Sequence, residues 1–249
     1  MLKIAFAPAT IPGQNALIIT VAADNKLGVH GAKLDKKIGG AIKRAMEGSR
    51  FTGKAEQTLS IMAPPKTRLS RIVLVGVGDV AKADTLTFQK AGGCAVGALN
   101  GKDAQAVFVV DDHKGMKFAI AEAAAQVGLG ARLGSYRFDK YRTKMKPEQK
   151  SALKTLTIAS ADTAAARAAY NSLNHLADGV FFTRDLVSEP PNVIYPASLA
   201  ERASELKELG VKVEVLDEKQ MQKLGMGALL GVGQGSLAPS RMVIMQWLG

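Results

Sequence analysis

Short, almost wholly apolar runs alternate with helical stretches through the first two-thirds of this chain, and that alternation leaves few folds open. "RIVLVGVG" (71–78), "AQAVFVV" (104–110) and "LKTLTIAS" (153–160) are each too short for a typical helix. Such runs suit strands covered on both faces, as in a parallel sheet. Around them, "TLTFQKAGGCAVGALN" (85–100) and "MKFAIAEAAAQVGLGARL" (116–133) read as helices. So does "GAKLDKKIGGAIKRAMEGS" (31–49), with Leu34, Ile38, Ala41, Ile42 and Ala45 on one face. "QTLSIM" (57–62) is a short strand, and "KIAFA" and "ALIITVAA" read as an opening hairpin around Pro8, Pro12 and Gly13. Strands alternating with helices predict an α/β fold, a mostly parallel sheet with helices flanking it, over about residues 1–162.

The pattern changes at residue 163. Ala165, Ala168, Ala169, Leu173, Leu176, Val180 and Leu186 recur every three or four residues, which predicts one long connecting helix over 163–188. The stretch "LVSEPPNVIYP" then stops it. Pro190 and Pro191 cannot continue a helix, so it ends near Ser188. Pro196 suits the first position of a new helix, "PASLAERASELKELG", with Gly210 as its C-terminal cap. Beyond lie a strand, "VKVEVLDE", a short helix, "KQMQKLGM", and a final strand, "RMVIMQWLG". Residues 189–249 therefore read as a second α/β domain with a crossover and two strands, incomplete and marginal alone. The natural protein is expected to continue past Gly249, or these residues to lean on another chain.

Charge divides the chain in the same way. Up to Asp162 there are 25 lysines and arginines against 13 acids; beyond it, 8 against 9. The basic surface thus belongs to the first domain, which raises nucleic acid or another polyanion as a partner. A single cysteine, Cys94, excludes an internal disulfide and a Cys-based zinc cluster and fits a reducing compartment. Pro8, Pro12 and Gly13 interrupt the N-terminal apolar run, so no signal peptide is expected there. No apolar run reaches the roughly 20 residues of a membrane span. The expected setting is cytoplasmic, with no membrane partner.

Chemistry-bearing motifs are sparse. "VGVGD" (75–79) lacks the third glycine of a dinucleotide fingerprint and the Lys-Ser/Thr of a P-loop, and reads as a strand-to-helix turn. "SYRFDKYRTKMKPEQKSALK" carries Arg137, Lys140, Arg142, Lys144, Lys146, Lys150 and Lys154 among Tyr136, Phe138 and Tyr141. Basic and aromatic residues together can hold phosphates and bases, but the expected reading is a solvated loop docked by its aromatics. His30, His113 and His175 lie far apart in sequence, with no metal-ligand spacing, and read as surface or helix residues. "DDHK" (111–114) resembles a ligand cluster, yet adjacent side chains diverge. Ser188, Ser236 and Ser240 lack a nucleophile elbow. "GALLGVGQGS" (227–236) reads as a tight connection in preference to a phosphate nest. No catalytic, cofactor-binding or metal-binding residue is assigned.

Three segments carry a resemblance. "TRDLVSEPPNVIYPASLAERA", "VEVLDEKQMQKLGMGALLGVGQGS" and "SYRFDKY" resemble the cytosol (leucyl) aminopeptidases, two-metal exopeptidases, over the chain from about Gly134 onward. The earlier strand–helix order fits that family's N-terminal domain, which resembles a macro domain. The resemblance implies that the proline-rich stretch joins the connecting helix to the catalytic domain, with Asn192 and Tyr195 in structural roles only. For a complete enzyme it implies two divalent ions, manganese or zinc, a water attacking the first peptide bond, peptide substrates and a homohexamer. The family's metal motifs, of the type "VGKGxTFDxGG" and "NTDAEGR", are absent from these residues, so the chain alone is expected to be inactive. The alternative expectation is a basic binding module for nucleic acid, DNA included, or for an ADP-ribose-like ligand.

Overall fold

The computed structural model describes residues 1–99 and 103–248. Asn100 and Gly249, the last residues of an expected helix and strand, lie outside them. The chain divides into two compact units, Met1–Phe181 and Phe182–Gly249.

The first unit runs β1 (Lys3–Pro8), β2 (Gln14–Ala22), β3 (Lys26–Leu27), α1 (Val29–Lys37), α2 (Ala41–Glu47), β4 (Thr58–Met62), β5 (Arg68–Gly78), α3 (Thr85–Ala98), β6 (Gln105–Val109), α4 (Ile120–Gly134) and β7 (Thr155–Ser160). Helix α5 (Thr163–Ser188) follows, and the division between the units falls within it. The strands form one sheet in the order β1-β7-β6-β2-β5-β4, with β3 beside β2. All pairings along that path are parallel except β4 on β5, and β3 joins β2 antiparallel. The fold is therefore α/β.

Strand β2 takes the centre because both its faces are apolar. Ala16 through Val21 are at most 1% exposed. Ala16 and Ile18 join the core under α3 and α4, including Phe88, Ala91, Ala124 and Val127. Leu17, Ile19 and Val21 face Leu34, Ile38, Ile42 and Met46 on the other side. Each such aliphatic side chain contributes about 1.5–3 kcal/mol by leaving water.

Two local expectations fail. β1 and β2 are not a hairpin: β1 pairs with β7 at the sheet edge, whereas β2 pairs with β5 and β6. The half-buried β1 suits an edge, while β2 needs cover on both sides. The helix expected over 31–49 is two helices, broken where Gly39 and Gly40 take φ of 70° and 76°, angles that glycine adopts without steric cost. Asp35, buried beneath the break, accepts hydrogen bonds from the Ile42 and Lys43 amides and so caps α2.

The second unit contains α6 (Pro196–Ser204), a 3-10 turn (Glu205–Leu209), β8 (Lys212–Leu216), α7 (Glu218–Lys223), α8 (Gly227–Gly233) and β9 (Met242–Gln246). Gly210 ends the turn at φ 89°. β8 and β9 pair antiparallel, so the two strands are not related by the expected parallel crossover. Ala200, Val213, Leu216 and Met221 are its buried apolar side chains, while Leu224, Val232, Leu237 and Trp247 are exposed.

Candidate functional site

Adjacent strands β2 and β6 send the chain to opposite faces of the sheet, β2 to α1 and β6 to α4. Their carboxyl ends form a topological switch point, the place where open α/β sheets hold ligands. Three of the buried polar residues meet there: Thr20 at 1%, Asp111 at 1% and His113 at 5% exposure. Burying polar groups is costly unless they are bonded, and these are.

The Asp111 carboxylate accepts the amides of His30 and Gly31, each at 3.0 Å, and meets His30 Nδ1 at 2.6 Å. It therefore caps α1, whose own N-cap residue, Gly28, has no side chain for the task. A Cβ on Gly28 would lie 2.3 Å from the Asp111 Cβ, so this contact requires glycine. An ionised carboxylate only accepts, so His30 donates through Nδ1. Thr20 Oγ1 accepts the Asp111 amide at 3.3 Å and bonds His113 Nε2 at 2.9 Å.

Burial pushes the His113 imidazole below its ordinary pKa of 6.5, against the opposing pull of Asp111 and Asp112. The unfolded chain then binds this proton more readily than the folded one. Stability is accordingly retained above the unfolded pKa and declines as pH falls through and below it. The urea midpoint of the native chain is expected to drop between about pH 7.5 and 5.5, and to drop less for His113→Asn. Equal slopes for the two proteins would contradict a buried neutral His113.

The cluster was hidden in "DDHK". Asp111 and His113 point inward and Asp112 and Lys114 outward. His113 is thus neither a surface nor a helix residue; alternation at i and i+2 was the available signal. His30 opens α1, and His175 is exposed on α5. Among the described residues no three His, Cys, Asp or Glu side chains are placed to hold a metal ion.

The remaining motifs have structural settings. In "VGVGD", a Cβ on Gly76 would lie 2.0 Å from the Lys54 carbonyl oxygen, and Gly78 has φ 68°. Those glycines admit a neighbouring backbone at the end of β5, so residues 75–78 belong to the strand and the expected turn begins only at Asp79. In the basic stretch, Tyr136 packs on Phe181 at 5.3 Å and Phe138 meets Tyr141 edge-on at 5.8 Å. Its seven cations are exposed, and Arg137 bonds Asp139 at 2.7 Å. "GALLGVGQGS" contains α8, whose amides are drawn into helix bonds such as Leu230 N–H to the Met226 carbonyl; it is not a nest. The Tyr195 amide donates to Ser198 Oγ at 3.0 Å, at the start of α6. Ser236 and Ser240 lie in the second unit, which contains no histidine.

Comparison with known proteins extends the similarity well beyond these motifs. Residues 18–145 match the cytosol aminopeptidase family N-terminal domain, and residues 181–249 match that family's catalytic domain. A probable cytosol aminopeptidase of Afipia carboxidovorans is 42% identical over 247 residues, covering 99% of this chain and 49% of that protein. One from Caulobacter vibrioides is 43% identical over 251 residues, with 100% and 50% covered. The chain spans about half the length of the curated relatives it matches. Among solved structures, a mutant of tomato leucine aminopeptidase superposes with a TM-score of 0.85 at 23% identity, over 98% of this chain and 50% of the other. The bottromycin maturation enzyme BotP in complex with Mn superposes with a TM-score of 0.70 at 24% identity, over 93% and 45%. These two likenesses show the fold. The resemblance noted from about Gly134 onward therefore reaches back through the first unit.

Proposed function

The chain belongs to the cytosol aminopeptidase family, and on that premise we propose that its residues supply the N-terminal domain and the opening of the catalytic domain of a metal-dependent aminopeptidase. That enzyme releases N-terminal amino acids from peptides. We place the N-terminal, macro-domain-like part at 1–162, the connecting helix at 163–188 and the start of the catalytic domain at 189–249. The observation that carries the reading is the order of the two family matches, the first falling within the first unit and the second running from that unit's last residue through the second unit. The relatives' name supports a cytoplasmic setting, and no helix among the described residues is long and apolar enough to cross a membrane. A homohexamer is part of the same proposal.

Two divalent ions, manganese or zinc, would supply Lewis-acid activation of water and of the scissile carbonyl. The manganese named with BotP supports the first choice. The residues present do not fit such a pair, since none of the described His, Cys, Asp or Glu side chains converge in threes. No hydrolytic step is assigned to them, and the ligands are proposed to lie outside these residues.

Two proteins test the reading with manganese and leucine p-nitroanilide. The 249-residue chain is expected to give no turnover above buffer. A chimera joining it to the remaining half of the Afipia carboxidovorans relative is expected to turn the substrate over. Turnover by the chain alone, or a folded and inactive chimera, would overturn the proposal.

The exposed cations at Arg137, Lys140, Arg142, Lys144 and Lys146 favour a second, compatible role in binding duplex DNA. Phosphate contacts release counterions, so affinity is expected to fall steeply between low and moderate salt. Absence of binding at low salt removes this reading.

A further inference from the structure

The switch point also walls a crevice of about 390 Å³ that the aminopeptidase reading leaves without a role. The size lies within the roughly 300–1,000 Å³ of small-molecule sites. Ala22, Leu27, Val80 and Ala81 give it apolar walls, and His113, Lys114, Lys26 and Asp79 give it polar ones.

The polar groups have definite roles. Thr20 Oγ1 accepts the Asp111 amide and bonds His113 Nε2. When the hydroxyl donates to Nε2, the neutral ring carries its proton on Nδ1, and that atom is then a donor for a ligand. Lys114, next in the chain, has no ion-pair partner among the described residues. Lys26 approaches Asp24 at 3.4 Å, both side chains largely exposed, a pairing worth little in water. These groups favour a carboxylate or another acceptor-rich head. Asp79 supplies the opposite charge. Its Oδ1 accepts the Ala81 amide at 3.1 Å and its Oδ2 lies 3.7 Å from the exposed Lys82 ammonium, so it retains acceptor capacity. The nearby α1 amides of His30 and Gly31 are already taken by Asp111, so those two donors do not serve a phosphate.

A donor set, one carboxylate and an apolar wall in one small crevice match a molecule bearing both charges. We infer that the crevice binds a small zwitterion, a free α-amino acid or dipeptide, with its carboxylate at His113 and Lys114 and its ammonium at Asp79. The source of such a ligand rests on the aminopeptidase reading, because free amino acids are what that reaction releases. The binding itself does not rest on it.

The test titrates the isotope-labelled 249-residue chain with leucine and follows the Gly78–Ala81 amides and the His113 ring by heteronuclear NMR. Saturable shifts are expected at both places, with the ring proton on Nδ1. Lys114→Gln and Asp79→Asn, both on exposed positions, are each expected to weaken binding about tenfold, as for loss of a charged hydrogen bond. 4-Methylpentanoate, which lacks the ammonium, and 3-methylbutylamine, which lacks the carboxylate, are expected to bind more weakly than leucine. No saturable shift at tens-of-millimolar leucine overturns the inference. So does inorganic phosphate or 4-methylpentanoate binding as tightly as leucine, or indifference to both substitutions. None of these readouts depends on turnover, so failure here is distinguishable from failure of the chimera.

Discussion

Gly130→Ala is expected to destabilise the first unit by about 3 kcal/mol, although alanine is the better helix former. A Cβ on Gly130 of α4 would stand 1.8 Å from the Gln89 carbonyl oxygen of α3. The contact is reciprocated: a Cβ on Gly92 of α3 would stand 2.1 Å from the Val127 carbonyl oxygen of α4. Packed helices ordinarily keep their axes roughly 8–10 Å apart because side chains intervene. Here backbone touches backbone, and a methyl group can be admitted only if the helices separate. Separation disturbs a core that includes Phe88, Ala91, Ala124 and Val127. It also stretches the hydrogen bond from Gln89 Nε2 to Gln126 Oε1, now 2.8 Å. Gly97, exposed on the same α3, has nothing within 4 Å of its added Cβ. Gly97→Ala should therefore stabilise by up to about 1 kcal/mol through helix propensity alone. Urea denaturation of both variants decides the matter. Equal effects would mean that propensity, and not helix–helix approach, governs Gly130.

These glycines show where a sequence stops disclosing its fold. The apolar run through β2 announces a strand covered on both faces, because even and odd positions are equally apolar. Its neighbours are not announced, since pairing is settled by which strands can cover it; the supposed hairpin with β1 failed on that point. Helical periodicity through Leu34, Ile38 and Ile42 persisted across Gly39 and Gly40 and concealed a break that the two positive φ angles make. In the second unit, the glycines of residues 227–235 concealed α8 in the same way. The candidate site was less legible still. Gly28 and His30 lie some eighty residues from Asp111 in the chain, and nothing local in "VHGAKL" records that its cap comes from beyond β6. Family resemblance behaved likewise, because the second unit carries two long motifs while the first carries only the short "SYRFDKY" and is otherwise recognised along its length.

Asp111→Ala is expected to cost roughly 3 kcal/mol and to loosen α1 specifically. The carboxylate is fully buried and satisfies two amides at the start of the helix while it holds His30. Replacing a cap by alanine alone costs about 0.5–2 kcal/mol at ordinary sites. Here the orphaned amide of Gly31 is buried, and a buried unsatisfied donor adds about 1–3 kcal/mol. Asp111→Asn keeps one acceptor oxygen and should lose about half as much. The effect is directional. Because β2 and β6 stay paired through Ala16–Ala106 to Ile19–Val109, the sheet should keep its protection while amide exchange accelerates at Gly31 and Ala32, whose amides bond Asp111 and the Gly28 carbonyl. Hydrogen exchange read residue by residue separates this outcome from general destabilisation. Uniform acceleration across β2, β5 and β6 would show that Asp111 supports the whole sheet. No acceleration at Gly31 would show that α1 is held by Leu34 and Ile38 in the core and needs no cap from the far side of the switch point.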